Sequence, residues 1–340
     1  MSTSKRPPSI HDVASLAGVG VGTVSNALNN PDKVKPATLA KVNKAIAKLG
    51  YIRNDAARQL KSGFSQSLGL IVPDTSNPFF AEIATEAENL ADQSGFVLTL
   101  ANSAGNQDRE NRYLGLYEEQ RLSGILLAPY GDDLSGAKRL TSKGIRAVLV
   151  DRIADEKQYC SVGVDDVNGG RTAVAHLLEV GRRNIAFVGG PVNIRQVADR
   201  LAGAKAAIKK VPGSKLQVLK TTAMTVFAGR AIGEQILAMP KTERPDAIFA
   251  SNDLIAVGIL QVFAFGNKIK VPAEISLIGY DDIDFAEAAV VPLTSMRQPA
   301  AEIGSTAMNL LLDEIKNPST HVHRKVTFQP ELIVRASSVA

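Results

Sequence analysis

Residues 16–30 read LAGVGVGTVSNALNN, with glycines at 18, 20 and 22. Glycines spaced this closely suit a phosphate-cradling loop or a tight turn between helices. The loop requires G-x-G-x-x-G after a strand and at the start of a helix. Here the third glycine falls one residue early and Thr23 takes its place. The preceding SIHDVASLA puts Ile10, Val13, Ala14 and Ala17 at helical spacing, with no run of β-formers. The glycines therefore lie between two helices.

Three helices are expected around this turn. The first covers about 10–17 and starts at Ser9, with Asp12 three residues on as an approximate capping box. The second covers about 22–29, with Val24, Ala27 and Leu28 on one face. The third covers about 36–49, with Leu39, Val42, Ala45, Ile46 and Leu49 at 3-4-3-4 spacing and Gly50 as C-cap. Its polar face carries Lys41, Lys44 and Lys48. Residues 1–62 hold ten bases and three acids, a net +7, whereas the other residues hold 29 bases and 31 acids, a net −2. A charge run is usually a solvated face. Concentration of the whole excess in one short segment instead favours a polyanionic partner.

Read onward to 63, the elements D-V-A, A-G-V, T-V-S, L-N, V-x-x-A-I-x-x-L-G-Y and N-x-x-A-R-x-L follow one another. This combination resembles the DNA-binding headpiece of the lactose-repressor (LacI/GalR) family. The resemblance implies a recognition helix in the major groove. Val21, Gly22 and Asn26 would face the bases, and Thr23 and Ser25 the phosphates. Asn29, Ala57, Leu60 and Lys61 complete the implied DNA-contacting set. Val21 offers apolar contact, Gly22 close approach, and Asn26 a hydrogen-bonding edge suited to adenine. An exposed face and a core role compete for Val21. RNDAARQLKSG, 53–63, matches the family's hinge helix, expected over 54–61. So short a helix is unstable alone in water. In the family it forms on operator DNA, where Leu60 would wedge into the minor groove beside its partner. Two departures stand out: Gly20 where the family usually has a capping serine, and Arg53 where it often has proline.

Beyond residue 65, β-rich runs alternate with helical ones in two series, which implies parallel sheets covered by helices. Ligands bind such sheets beyond the strand carboxyl ends. The motifs there are SNPFF 76–80, DR 151–152, ADRLAG 198–203, SND 251–253, GYDD 279–282 and RQP 297–299. Each has a plain structural reading: SND and GYDD as helix caps, Asn252 in particular, and NPFF as core. Together they resemble the effector domain of the same family, itself similar to periplasmic sugar-binding proteins, most nearly the ribose-binding subtype. The resemblance implies that Phe79 and Phe80 stack on a sugar. Asp151, Arg152, Arg200, Asn252, Asp281 and Gln298 would bond its hydroxyls. A polyol needs adjacent donors and acceptors, which carboxylate–guanidinium pairs supply. Where a second aromatic wall is usual, near 222–229, this chain has Met224 with Phe227 close by, so a ribose-bearing nucleoside suits a wider slot.

The expected fold is thus an N-terminal all-α helix-turn-helix headpiece, 1–62, and an α/β two-lobed effector-binding and dimerisation domain, 63–340, like the periplasmic binding proteins, with two doubly wound parallel sheets. Lobe 1 is expected at about 66–163 and 293–320, and lobe 2 at about 164–292 and 321–340. The implied partners are palindromic operator DNA, a pentose or nucleoside, and a second copy of the chain. A tetramer is not expected, since ELIVRASSVA carries no leucine heptad. No cofactor is expected. His321 and His323 form an H-x-H expected on a strand, with no cysteine or third ligand close by, so no metal site is expected. G-x-S-x-G, Walker and zinc-type spacings do not occur, which argues against a sugar kinase, an isomerase or any other enzyme. No run of eighteen apolar residues suggests a membrane span. The start MSTSKRPPSIHD lacks a signal's apolar core, so a cytoplasmic, nucleoid-associated protein is expected rather than a periplasmic transport protein.

Overall fold

Ser9 caps the first helix as its spacing to Asp12 predicts. Its hydroxyl accepts from the Asp12 N–H, and the Ser9 N–H donates to the Asp12 carboxylate at 2.8 Å. A computed structural model of the chain describes residues 6, 8–51, 65–155, 157–265 and 268–339. The expected hinge helix, with Ala57, Leu60 and Lys61, lies outside them. The chain divides into two units, Met1–Ser65 and Gln66–Ala340.

In the first unit, α1 (Ile10–Ala17) ends at Gly18, whose φ of 67° is the left-handed conformation that glycine adopts without strain. The next helix, α2 (Val21–Asn29), begins one residue earlier than its apolar spacing suggests, with Gly20 at the N-cap and no side-chain cap bond. A short 3-10 turn, Pro31–Lys33, leads to α3 (Pro36–Leu49), which Gly50 closes. Val13, Ala14, Val24, Ala27, Val42 and Ala45 form the buried core of this unit.

The second unit contains two six-stranded sheets wound alike. The first runs in the order β2 (Val97–Asn102), β1 (Ser67–Val72), β3 (Gly124–Leu127), β4 (Arg146–Val150), β5 (Cys160–Val164), β11 (Lys325–Phe328). The second runs β7 (Lys215–Lys220), β6 (Asn184–Gly189), β8 (Ala247–Ala250), β9 (Ser276–Asp281), β10 (Thr294–Arg297), β12 (Glu331–Ile333). Neighbours are parallel except β10 and β12. The inner strands read as unbroken apolar runs because both faces are covered. Leu68, Leu70 and Val72 of β1 enter one core cluster, while Ile71 enters another with Leu114 and Tyr117.

The lobe boundaries differ from those expected. β10 pairs with β9 in the second sheet, so 293–297 belongs with lobe 2. β11 pairs with β5 in the first, so 325–328 belongs with lobe 1. β11 and β12 are short edge strands with no fully buried residue, and therefore leave no hydrophobic pattern to read.

Two helix pairs of lobe 2 pack unusually close. α7 (Asp166–Glu179) meets α8 (Arg195–Ile208) at Gly170 and Gly203, where an added Cβ would stand 2.0 Å from the carbonyl oxygens of Arg200 and Val167 respectively. α9 (Val226–Ala238) meets α10 (Asp253–Ala264) in the same way through Gly229 and Gly258. Gly170→Ala must push α7 from α8 and is expected to destabilise this unit by about 1–3 kcal/mol. Urea unfolding measures it; a change within error would mean that the helices part freely.

Candidate functional site

A cavity of about 400 Å³ opens at the carboxyl ends of the strands and takes its lining from both lobes. Phe79, Phe80, Asp151, Arg200, Asp281 and Gln298 all line it, six of the eight positions singled out from the sequence. The Phe rings begin α4 (Pro78–Gln93), where Asn77 caps the helix by accepting from the Phe79 N–H at 3.1 Å. They meet edge to face at 5.1 Å, and both also belong to the lobe 1 core. They are therefore fixed walls as well as core.

Behind them lies one connected polar cluster. Arg200, 2% exposed, donates from Nε to Asp166 Oδ1 at 2.7 Å and from Nη1 to the Ser251 carbonyl at 2.6 Å. Its Nη1 is 3.8 Å from Asp281, and its guanidinium carbon lies 3.6 Å from the centre of the Tyr280 ring. Gln298 donates to Asp281 Oδ1 at 2.8 Å, and Asn77 reaches Asp281 Oδ2 at 3.4 Å. Gln196 donates to Asp151 Oδ2 at 2.9 Å. Asp151 Oδ1 and Gln298 Oε1 are buried acceptors with no partner among the described residues. Buried acceptors left open at a cavity wall await a donor from water or ligand.

Burial sets the charges. It pushes the Asp151 carboxyl well above its ordinary range, and nearby Asp166 adds to the effect. It raises Asp281 to about 6 despite the Arg200 guanidinium beside it. Burial works against Arg200's charge too, but Asp166 and the other carboxylates more than offset it, so Arg200 stays cationic. One guanidinium thus faces Asp151, Asp166 and Asp281. Asp151 and Asp281 also hold φ values of 53° and 108°, strained for side chains with a Cβ. Strain of this kind collects where side chains must be aimed at a ligand.

The other two positions stand outside the lining. The Arg152 guanidinium pairs with Asp132, and Asn252 caps α10 by accepting from the Ile255 N–H at 3.0 Å. Asn252 also donates to the Met224 carbonyl at 3.2 Å, so it holds the 222–225 segment that does line the cavity. Phe227 is 78% exposed and supplies no wall. Met224 does line the cavity, as does Tyr130, an aromatic that the sequence reading passed over. Gln196 and Asn77 were missed as well; Asn77 sat inside the quoted SNPFF.

On the headpiece, Gly22 and Asn26 are exposed, Thr23 and Ser25 half-buried. Val21 is half-buried and packs against the core, which reduces what it can offer a base. Asn29 donates to the Ser25 carbonyl at 2.7 Å and tightens the end of α2. Lys33, Lys35, Lys41, Lys44 and Lys48 are all exposed.

The H-x-H expectation needs correction. His321 and His323 lie in irregular chain just before β11, not on a strand, and Cys160 of β5 stands beside them. β11 pairs with β5, and that pairing brings together Cys160 and His321, 161 residues apart in the sequence. Among the described residues no helix is long and apolar enough to cross a membrane.

Comparison with known proteins adds to this geometry. Residues 9–54 match the lacI family of bacterial regulatory proteins, and residues 174–338 match a periplasmic binding protein-like domain. Over 332 residues the chain is 31% identical to the HTH-type transcriptional repressor PurR of Vibrio atlanticus, covering 96% of this chain and 98% of that one. The structure of a transcriptional regulator CelR–cellobiose complex is 30% identical with a TM-score of 0.70, covering 97% and 99% of the two chains. A LacI-family regulator of Enterococcus faecalis with bound ribose is 30% identical with a TM-score of 0.71, covering 80% and 98%.

Proposed function

The chain belongs to the lacI family of bacterial regulatory proteins and is a DNA-binding transcriptional regulator under small-molecule control, and from that premise we propose that it is a repressor whose effector is an uncharged pentose, ribose or a ribose-bearing nucleoside. The observation that carries the ligand class is the charge of the cavity. Among the described residues that line it, Arg200 alone is cationic, and Asp166 and Asp281 already engage it, which leaves no free positive charge for a phosphate and suits hydroxyl groups. Asp151, Arg200, Asp281 and Gln298 supply alternating acceptors and donors, and Phe79 and Phe80 an apolar wall. The ribose-bound Enterococcus relative supports this reading. Met224 in place of an aromatic leaves room for a base attached to the sugar. Calorimetry on the full chain with D-ribose, ribonucleosides, cellobiose and ribose 5-phosphate tests it. Ribose or a nucleoside is expected to bind tightest; preference for cellobiose or for the phosphate overturns the assignment.

Operator DNA is the second ligand, bound by a homodimer on a palindromic site, which places the protein's action in the cytoplasm. The basic excess attracts phosphates without regard to sequence, so base preference must come from elsewhere. Asn26 is the exposed polar side chain of α2 best suited to a base edge. Asn26→Ala is expected to lose about 1–3 kcal/mol of preference at one base pair per half-site. Gel shifts on operator and on duplexes altered at single positions measure this; an unchanged preference at every position removes Asn26 from the reading. Much of the remaining specificity falls to the hinge, through Leu60 and the deformability of the central step. Ligand closure of the lobes acts on DNA through that same segment.

A further inference from the structure

Cys160, His321 and His323 bring three ligand atoms within 4.8 Å of one another, at the seam where β11 joins the first sheet. The Cys160 thiol lies 3.2 Å from His321 Nε2 and 3.9 Å from His323 Nδ1. For a tetrahedral zinc ion with ordinary bond lengths, a sulfur–nitrogen edge measures about 3.6 Å. The two observed edges bracket that value. The imidazole rings meet edge to face at 5.4 Å, so both can point a nitrogen at one centre.

The surroundings are those of a metal centre rather than of a stray thiol. His321 Nδ1 donates to Asp313 Oδ2 at 2.7 Å, which leaves its Nε2 lone pair aimed at the cluster. Carboxylates placed behind histidine in this way orient and strengthen metal ligands. Asp313 is itself held by Asn317 at 2.8 Å. Glu314, the next residue, is buried, and its Oε2 has no partner among the described residues. Both imidazoles act on its charge, and its Oε1 lies 4.0 Å from Arg146 Nε. Cys160 is fully buried and the His321 ring nearly so, while His323 is half-exposed and gives a way in.

We propose that Cys160, His321 and His323 bind a tetrahedral transition-metal dication of the zinc class, with a water as the fourth ligand. In the metal-free protein the buried thiol keeps its proton and shares it with His321 Nε2. Binding replaces that proton: the sulfur–hydrogen bond breaks, a sulfur–metal bond forms, and one proton leaves to solvent for each ion. One thiolate with two imidazoles favours zinc over magnesium or calcium. The ion would fasten the 317–324 segment, where the chain returns from α12 (Ala300–Lys316) to the first sheet before β12 carries it to the second. This site lies apart from the effector cavity and does not depend on which sugar fills it.

The test uses the full chain, stripped with a chelator and titrated with cobalt(II) and then zinc(II). Cobalt is expected to give one equivalent of binding, a thiolate-to-metal charge-transfer band and the strong visible bands of a tetrahedral site, all abolished by zinc. Cys160→Ser and His323→Ala are each expected to loosen zinc by more than about 100-fold, and Asp313→Ala by about 10- to 100-fold. His11→Ala, on the exposed surface of the headpiece, should change nothing. His323→Ala alters a half-exposed ring, and circular dichroism checks that it folds. Absence of the charge-transfer band overturns the proposal, and so does a band or zinc affinity that survives Cys160→Ser.

Discussion

Replacing Arg200 with methionine is expected to destabilise the two-lobed unit by about 3–5 kcal/mol at neutral pH, the usual result of removing one partner from a buried ion pair. Methionine fills much of the space but carries no charge. Asp166 loses its 2.7 Å bond, Asp281 its nearest cation, and the Ser251 carbonyl a donor. The Tyr280 ring loses the guanidinium held 3.6 Å from its centre. Asp151, Asp166 and Asp281 then remain as buried carboxylates that must take up protons in order to stay buried. The defect is therefore pH-dependent. Those carboxyls titrate higher in the folded variant than in the unfolded chain, so the folded variant binds more protons and its stability rises as pH falls from 8 towards 5. Urea unfolding at several pH values reads both effects. A loss under about 1 kcal/mol with no pH dependence would mean that Arg200 is no keystone of the cluster.

Arg200 also shows how much of this molecule the sequence discloses. ADRLAG stands in a helix that follows a strand, so its place near a strand end can be read directly. The same holds for Phe79, Phe80, Asp151, Asp281 and Gln298, which come from four separate stretches of chain and meet at one cavity. Local signals predict local things well. Ser9 with Asp12, and glycine after α1 and α3, fix helix ends because the groups they satisfy lie within a turn of the chain. Side-chain direction at a strand end is different. Asp151 turns into the cavity and the adjacent Arg152 turns to Asp132, a choice set by the positive φ at 151. SND was open to two readings, and Asn252 serves as the helix cap while holding the Met224 loop. The H-x-H carried no visible third ligand because Cys160 joins it through the pairing of β5 with a short, poorly buried edge strand. Pairings of that kind leave little trace in hydrophobic pattern.

Asp281→Ala is expected to weaken effector binding by about 2–5 kcal/mol, and wild-type affinity is expected to fall on acidification with a midpoint near the Asp281 pKa of about 6. Both of its oxygens already accept hydrogen bonds, from Gln298 and Asn77. The remaining acceptor capacity of an ionised carboxylate suits a sugar hydroxyl, and protonation converts part of it into a donor. The sign for stability is opposite to the sign for binding. Burial raises the Asp281 pKa in the folded, ligand-free protein above the unfolded value of about 3.9. The folded state therefore binds the extra proton, and this contribution to stability is fully present below the unfolded pKa and lost as pH rises through about 6. An effector that needs the ionised form works the other way. It binds with release of a proton, and below the midpoint its affinity falls by as much as about tenfold per pH unit. Calorimetry in buffers of different ionisation enthalpy counts that proton directly. Asp281→Asn keeps the size of the side chain and should bind weakly at every pH with no proton released. An affinity that stays level between pH 7.5 and 5, or an Asp281→Asn variant with wild-type affinity, would place the hydroxyl-accepting group elsewhere in the cluster, with Asp151 Oδ1 the next candidate because it is buried and has no partner among the described residues.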